Sequence, residues 1–242
     1  MLHAKSVFDF EKTFNSGLFY FFYEEKPVRK IWLEGKVFDV EFLQERNFVV
    51  LKSRQNLPEK IIQRIEYCLG LEEELSEFHR ICRRDIVLGK HIGNIKTTRI
   101  ISAFSDFEAL VGAIISQNNS YRNYRKKMFE VYEKLNFVPE RLTEENLKDL
   151  GLGYKVPFLV ALANDFGKKE LKEIKGIGPY SIQLFEIFQR RNYTAFYMDC
   201  LTEKIMREQY GIEKDFEAES WRLWGKWRGL AEAYLQRFFE TK

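Results

Sequence analysis

The sequence predicts an α+β fold, with an antiparallel β-rich N-terminal part followed by a mostly helical body. Three observations predict it. Aromatic and β-branched residues alternate only in the first fifty-odd positions, helical periodicity fills most segments after Pro58, and no internal repeat or low-complexity linker interrupts the chain. The chain has 242 residues, 45% of them hydrophobic and 31% charged. This composition supports a sizeable core and excludes a disordered chain. No apolar run reaches the roughly 18–20 residues that span a bilayer. The opening MLHAKSVFDFEK lacks the apolar centre of a signal peptide, so an intracellular protein without a membrane partner is expected.

The strands come first. FYFFYEE (19–25), KIWLEGKVFDVEFLQ (30–44) and NFVVLKS (47–53) carry the β pattern, with Gly35 and Asn47 at turn positions. Residues 1–57 therefore form a β-rich unit and residues 58–242 a helical one, with the last helix expected to pack back on the first unit. EKIIQRIEYCLGL (59–71), ELSEFHRICRRD (74–85), the long stretch 106–135, EENLKDLG (144–151) and FLVALANDF (158–166) have helical period. Asp106 and Thr143 are candidate N-caps, the latter followed by acids in the first turn.

Charge and thiols narrow the function classes. Net charge is only +3, but residues 80–99 hold six Lys or Arg against one acid, Asp85. A second cluster mixes Arg122, Arg125, Lys126 and Lys127 with Tyr121 and Tyr124. Basic residues among aromatics suit a phosphate backbone with bases to stack on, and they equally suit a solvated helix face. Cys68, Cys82 and Cys200 are odd in number and widely spaced. They read as reduced, buried thiols, with no disulfide framework, zinc or iron–sulfur site.

Two local features carry chemistry. In LKEIKGIGPYSIQLFEIF (171–188), a glycine turn enters a helix at Pro179. It lacks the third glycine of a dinucleotide fingerprint and the Lys-Ser/Thr of a nucleoside-triphosphate loop. What remains is helix, tight turn and helix: either an ordinary connection or a set of backbone N–H groups able to hold one phosphate. Asp199 follows Phe196, Tyr197 and Met198, and is either the N-cap of the helix LTEKIM or a functional carboxylate shielded from water. The two roles are compatible.

These residues resemble the helix-hairpin-helix DNA glycosylases of base-excision repair. Residues 171–181 resemble the hairpin signature L-x-x-I-x-G-[IV]-G-x-x-[ST], FYMD resembles the family's V-P-x-D, and Tyr180 and Asp199 are 19 residues apart, as the family requires. LGLGYKVPFLVALA (150–163), SQNNS (116–120), FNSGLFYFF (14–22) and WGKWRGLAEAYL (224–235) resemble, in order, motifs of the 8-oxoguanine and alkylation-repair branches. The resemblance implies a β domain packed on a helical hairpin domain, with the active-site cleft between them, and double-stranded DNA containing a damaged base as partner. A base–sugar bond is out of reach inside the stack, so such a protein flips the nucleotide out. By position, Gly176, Ile177, Gly178 and Ser181 would grip a phosphate. A structural Na⁺ or K⁺ would sit at the carbonyls of Lys175 and Ile177, and no cofactor is required. Asn118, with Asn119, would fill the vacated space. Tyr154 would wedge beside it, and Lys155 stands where the family has a base-contacting Arg. No oligomerisation signal is present, and glycosylases of this kind work as monomers.

One position departs from the lysine-dependent branch. Where that branch has a catalytic lysine, this chain has Tyr180, and a phenol forms no Schiff base. Lys175 lies across the turn and is expected to point elsewhere. Asp199 is therefore the expected catalytic residue, with Tyr180, Leu184, Gly17 and Gln236 forming the base pocket. An alkylated purine such as 3-methyladenine is the favoured lesion, since it is cationic and leaves readily. Oxidised or deaminated purines, a non-catalytic damage binder, and a lyase using another lysine are the alternatives.

Overall fold

The structure is a computed structural model that describes residues 1–4, 7–15, 23, 26–46 and 48–239. Four strands, β1 (Leu2–His3), β2 (Val28–Leu33), β3 (Lys36–Glu45) and β4 (Phe48–Lys52), form one antiparallel sheet of order β1-β4-β3-β2. In β3, Phe38, Val40 and Phe42 are buried while Asp39 and Glu41 are exposed, the period of two that gives a sheet one wet face. The β2–β3 hairpin turns on Glu34 and Gly35, with φ of 49° and 81°, and two left-handed residues match the strand twist. Gly17 and Asn47 lie outside the described residues, and of the run 19–25 only Tyr23 is described.

One short helix, α1 (Phe10–Asn15), precedes β2. After the sheet come α2 (Glu59–Cys68), α3 (Ser76–Arg84), α4 (Ile92–Ile95), α5 (Asp106–Ser116), α6 (Tyr121–Leu135), α7 (Glu144–Leu147) and α8 (Val156–Asp165). The chain ends with α9 (Pro179–Leu184), α10 (Cys200–Tyr210), α11 (Phe216–Trp224) and α12 (Arg228–Phe239). Thr143 caps α7 by accepting from Asn146 N at 3.3 Å. The cap of α5 is Ser105, one residue before the expected Asp106, and it accepts from Glu108 N at 3.0 Å. Asp106 instead receives Arg64, Gln189 and Arg190 at 2.9–3.1 Å.

Apolar side chains gather in three cores. One joins the sheet to α1 and α2, through Phe10, Phe42, Ile61 and Ile65. A second joins α5, α6 and α8 to Ile174 and Ile177. The third joins α3, α10 and α12 with Trp224. Two expectations change here. Helices begin near Pro58, but α2 shares the sheet's core, so packing does not divide at residue 57. The buried face of α12 (Leu230, Ala231, Tyr234, Leu235) lies in the third core, which has no described member before Leu75, so α12 packs on helices and not on the sheet.

The extended segment 100–104 threads all three cores, giving Ile100 to the third, Ile101 and Phe104 to the first, and Ala103 to the second. Its polar groups are tied across cores: Ser102 N donates to Cys68 O at 2.8 Å and Ser102 Oγ to Phe188 O at 2.7 Å. A buried ion pair, Arg29–Glu108 at 2.8 Å, links β2 to α5, and Tyr23 OH donates to the same carboxylate at 2.8 Å. The charge run at 80–99 is partly internal. Arg99 is buried and donates to Thr98 O and Val7 O, so it is unavailable to a phosphate. Cys68 and Cys82 are buried, but Cys200 is exposed at the start of α10, contrary to the expectation for all three. Among the described residues no helix is long and apolar enough to cross a membrane.

Candidate active site

The glycine turn is built from below by Ile174 and Ile177, whose buried side chains anchor it in the second core. Gly176 has φ +92°, and a Cβ there would meet Phe158 carbons at 2.5 Å, so only glycine fits. Gly178 is different. Its φ is −107°, open to any residue, and a Cβ would meet nothing within 4 Å. The backbone N–H groups after it begin α9, which runs directly into a π-helical turn, Phe185–Gln189. Single π turns recur at functional sites because they swing side chains out of helical register. Here the turn places Phe185, Phe188 and Gln189 along a cavity wall.

Tyr180, Leu184, Asp199 and Gln236 line that cavity together, joined by Ser116 and Tyr197. Its described walls come from α5, α6, the α9 segment, the loop before α10, and α12, and none from the sheet. The described part of the cavity lies where the two helical cores meet. Asp199 is the N-cap of α10: Oδ1 accepts from Thr202 N at 2.7 Å, while Oδ2 accepts from Gln236 Nε2 at 3.0 Å. Both bonds fix the direction of the carboxylate. Across the cavity, the Tyr180 and Tyr197 rings meet edge-on with centroids 4.5 Å apart, and Tyr180 OH lies 3.2 Å from Ser116 Oγ. Burial raises the Tyr180 phenol and pushes Tyr197 up to about 12, so both are neutral hydroxyls at ordinary pH.

Behind Asp199 sits a second carboxyl, Glu232 of α12, 3% exposed. Its Oε2 accepts from Tyr197 N at 3.0 Å and its Oε1 from Thr202 Oγ1 at 3.2 Å. Burial, reinforced by the Asp199 charge and opposed by the Tyr197 N–H, pushes the Glu232 carboxyl up to about 8.

Of the remaining expected residues, Asn118 and Asn119 follow the end of α5, and Tyr154 and Lys155 precede α8. Asn118, at φ 48°, donates to Tyr154 OH at 3.3 Å, and Tyr154 is 55% exposed. Asn119 donates to Ile115 O at 3.1 Å and accepts from Asn123. Arg122, Arg125 and Lys126 of α6 are exposed beside them, while Tyr124 turns inward to the cavity. Lys155 departs from its expected place. Lys155 is buried, its Nζ donating to Ile115 O at 2.7 Å, because α5 ends there and its last carbonyls need a donor. The Ser181 side chain is buried, its Oγ accepting from Gln117 Nε2 at 3.0 Å.

Gln117 was not singled out from the sequence. It also donates to Gly176 O at 2.8 Å, so it stitches the hairpin to the end of α5. Its neighbours Asn118 and Asn119 drew attention in the same SQNNS string, and nothing in the string separates the three roles. Glu232 left a clearer signal: one acid inside the apolar run LAEAYL. Lys175 is exposed, with Nζ 5.9 Å from the Phe158 ring centroid. No Lys or Arg is among the described cavity walls. Among the described residues, the carbonyls of Lys175 and Ile177 accept no hydrogen bond, so both remain available to a monovalent cation.

No protein-family model and no curated protein matches the chain. Solved structures do. A 3-methyladenine DNA glycosylase from Archaeoglobus fulgidus superposes with a TM-score of 0.78 at 20% identity, covering 100% of this chain and 99% of that one. An 8-oxoguanine glycosylase/lyase from Clostridium acetobutylicum, in complex with double-stranded DNA containing cytosine opposite 8-oxoG, gives 0.75 at 20% identity, covering 96% and 92%. Both likenesses run over nearly the whole length of each chain. The chain has the fold of these glycosylases, the α+β architecture that the sequence resemblance implied.

Proposed function

We propose that the protein is a monofunctional DNA N-glycosylase that takes a damaged purine from duplex DNA into the cavity and hydrolyses its bond to the sugar. The observation that carries the reading is Asp199: a carboxylate held by Thr202 N and Gln236 on one side of an aromatic cavity that no described Lys or Arg enters. With the nucleotide flipped in, the Asp199 anion stabilises the positive charge that develops on the sugar as the base departs, and it orients the attacking water. With no amine among the described cavity walls, no Schiff base would form and the strand would be left intact at an abasic site.

Alkylated purines are the favoured substrates. The cavity offers the faces of Tyr180 and Tyr197 and the Asp199 charge, with no described cation to repel a positively charged base. Such a base is already a good leaving group, so an anion and a fitting pocket suffice. The hairpin would hold a backbone phosphate at Gly178, where the open space allows close approach of an oxygen to the N–H groups of α9. A sodium or potassium ion on the Lys175 and Ile177 carbonyls would add positive charge under that phosphate. Asn118 and Tyr154 would occupy the gap left in the duplex, and the protein would act as a monomer.

Duplexes carrying single lesions, worked up with and without hot alkali, test this reading. Strand cleavage that appears only after alkali, strongest for N-methylated purines, is the expected outcome. Cleavage without alkali would indicate a lyase, release of oxidised or deaminated purines alone would move the specificity, and tight lesion binding without release would leave a damage-binding protein.

A further inference from the structure

We propose that Glu232 is a positioning residue for Asp199, holding Gln236 and Thr202 in the arrangement that fixes the Asp199 carboxylate. The inference rests on the proposed role of Asp199. Both residues that bond the Asp199 side chain also bond Glu232: Gln236 Nε2 lies 3.0 Å from Asp199 Oδ2 and 3.4 Å from Glu232 Oε1, and Thr202 gives its N–H to Asp199 and its hydroxyl to Glu232. Gln236 Nε2 is also 2.9 Å from Thr202 Oγ1, which closes the network. Glu232 and Gln236 are one turn apart on α12, so the helix itself sets their spacing. The other oxygen of Glu232 takes the Tyr197 N–H and so fixes the loop that presents Asp199.

A buried carboxyl is expensive to keep. Glu232 stands among Leu230, Ala231, Ala233 and Leu235, all buried, where an apolar residue would cost less. Glu232 is not among the described cavity walls, so it acts through Asp199 and not on a base. The charged or titratable groups that face it are Asp199, Tyr197, Tyr180 and Arg228, and Arg228 is engaged by Thr194 O and Glu217. Neutral Glu232 leaves the Gln236 amide to Asp199. Ionised Glu232 competes for it, so Asp199 loses its brace as pH rises through the Glu232 titration.

Single-turnover base release from methylated duplex DNA is measured from pH 6 to 10 for the wild type, Glu232→Gln and Glu232→Met. The wild-type rate at saturation is expected to fall about tenfold on the alkaline side with KM nearly constant, the size a small misorientation produces. Glu232→Gln should flatten that limb. Glu232→Met should lose about tenfold at neutral pH, with Glu232→Gln recovering most of that loss. In parallel, the carboxyl carbons of ¹³C-labelled protein are followed by NMR without DNA, a readout that needs neither substrate nor variant. The Asp199 signal should shift with an inflection near pH 8, set by Glu232. Absence of that inflection overturns the coupling whatever the activity, and an alkaline limb that persists in Glu232→Gln overturns the positioning role. If the wild type releases no base from any lesion, the glycosylase reading fails, and the carboxyl titration still decides the coupling.

Discussion

At Asp199 one carboxylate both caps α10 and faces the cavity, and substitution separates the two tasks. Asparagine caps a helix about as well as aspartate, so Asp199→Asn should keep stability within about 1 kcal/mol of wild type. Under the proposed reading it should lose base release by about 10²–10³-fold, as when a charge-stabilising group is removed from a transition state. Matched thermal melts and single-turnover rates check this, and normal turnover would remove Asp199 from the chemistry. Glu232 makes a second prediction. Its folded value lies far above that of an ordinary carboxyl, so its contribution to stability is complete below about pH 4 and is lost as pH rises toward about 8. Melting temperatures from pH 5 to 8.5 should therefore fall less for Glu232→Gln than for wild type; equal slopes would contradict the assignment. Sequence alone revealed the residues whose role is local. Asp199 stood out because a lone acid before a helix is a cap. The burial of Lys155 and of the Ser181 side chain was hidden because their partners, Ile115 O and Gln117, lie 40 and 64 residues away, and no local pattern records that.

The hairpin tests the difference between a glycine needed for folding and one needed for contact. Gly176→Ala forces a Cβ into Phe158 at positive φ and should destabilise the protein by about 1–3 kcal/mol. Gly178→Ala meets no atom within 4 Å and should leave stability within about 0.5 kcal/mol, yet weaken duplex binding by filling the space a phosphate would approach. Chemical denaturation and binding titrations separate the two, and equal affinity for Gly178→Ala would remove the hairpin from the DNA contact. Elements were legible where periodicity is strong, as in β3 and α6. The α5 cap was displaced by one residue because Ser105 and Asp106 are both good caps, and only the bond to Glu108 N distinguishes them. The π turn at 185–189 was invisible, since FEIFQ satisfies an ordinary helix equally well.

Across the whole molecule, the Arg29–Glu108 pair fastens the sheet to the helical body from inside, in a box that includes Tyr23, Phe104 and Tyr132. Arg29→Met should cost about 3–5 kcal/mol, because it strands a buried carboxylate, whereas replacing both partners with apolar residues should restore much of the loss. Denaturant titration of the single and double variants measures this, and a mild single variant would show that the pair is dispensable. The sequence hid the pairing because its members are 79 residues apart. The thread at 100–104 bears on how a nucleotide could enter. It crosses all three cores, and its Ser102 hydroxyl and Ala103 N–H hold the carbonyl of Phe188 and the side chain of Gln189, both in the π turn that walls the cavity. These bonds tie the cavity wall to the thread that runs through the three cores. Under the proposed reading, a wall braced in this way would leave much of the work of opening to the double helix, which would have to extrude its nucleotide into the cavity. Lesions that already weaken stacking or pairing would then be taken first, sorted by the DNA's own reluctance before any contact reads the base.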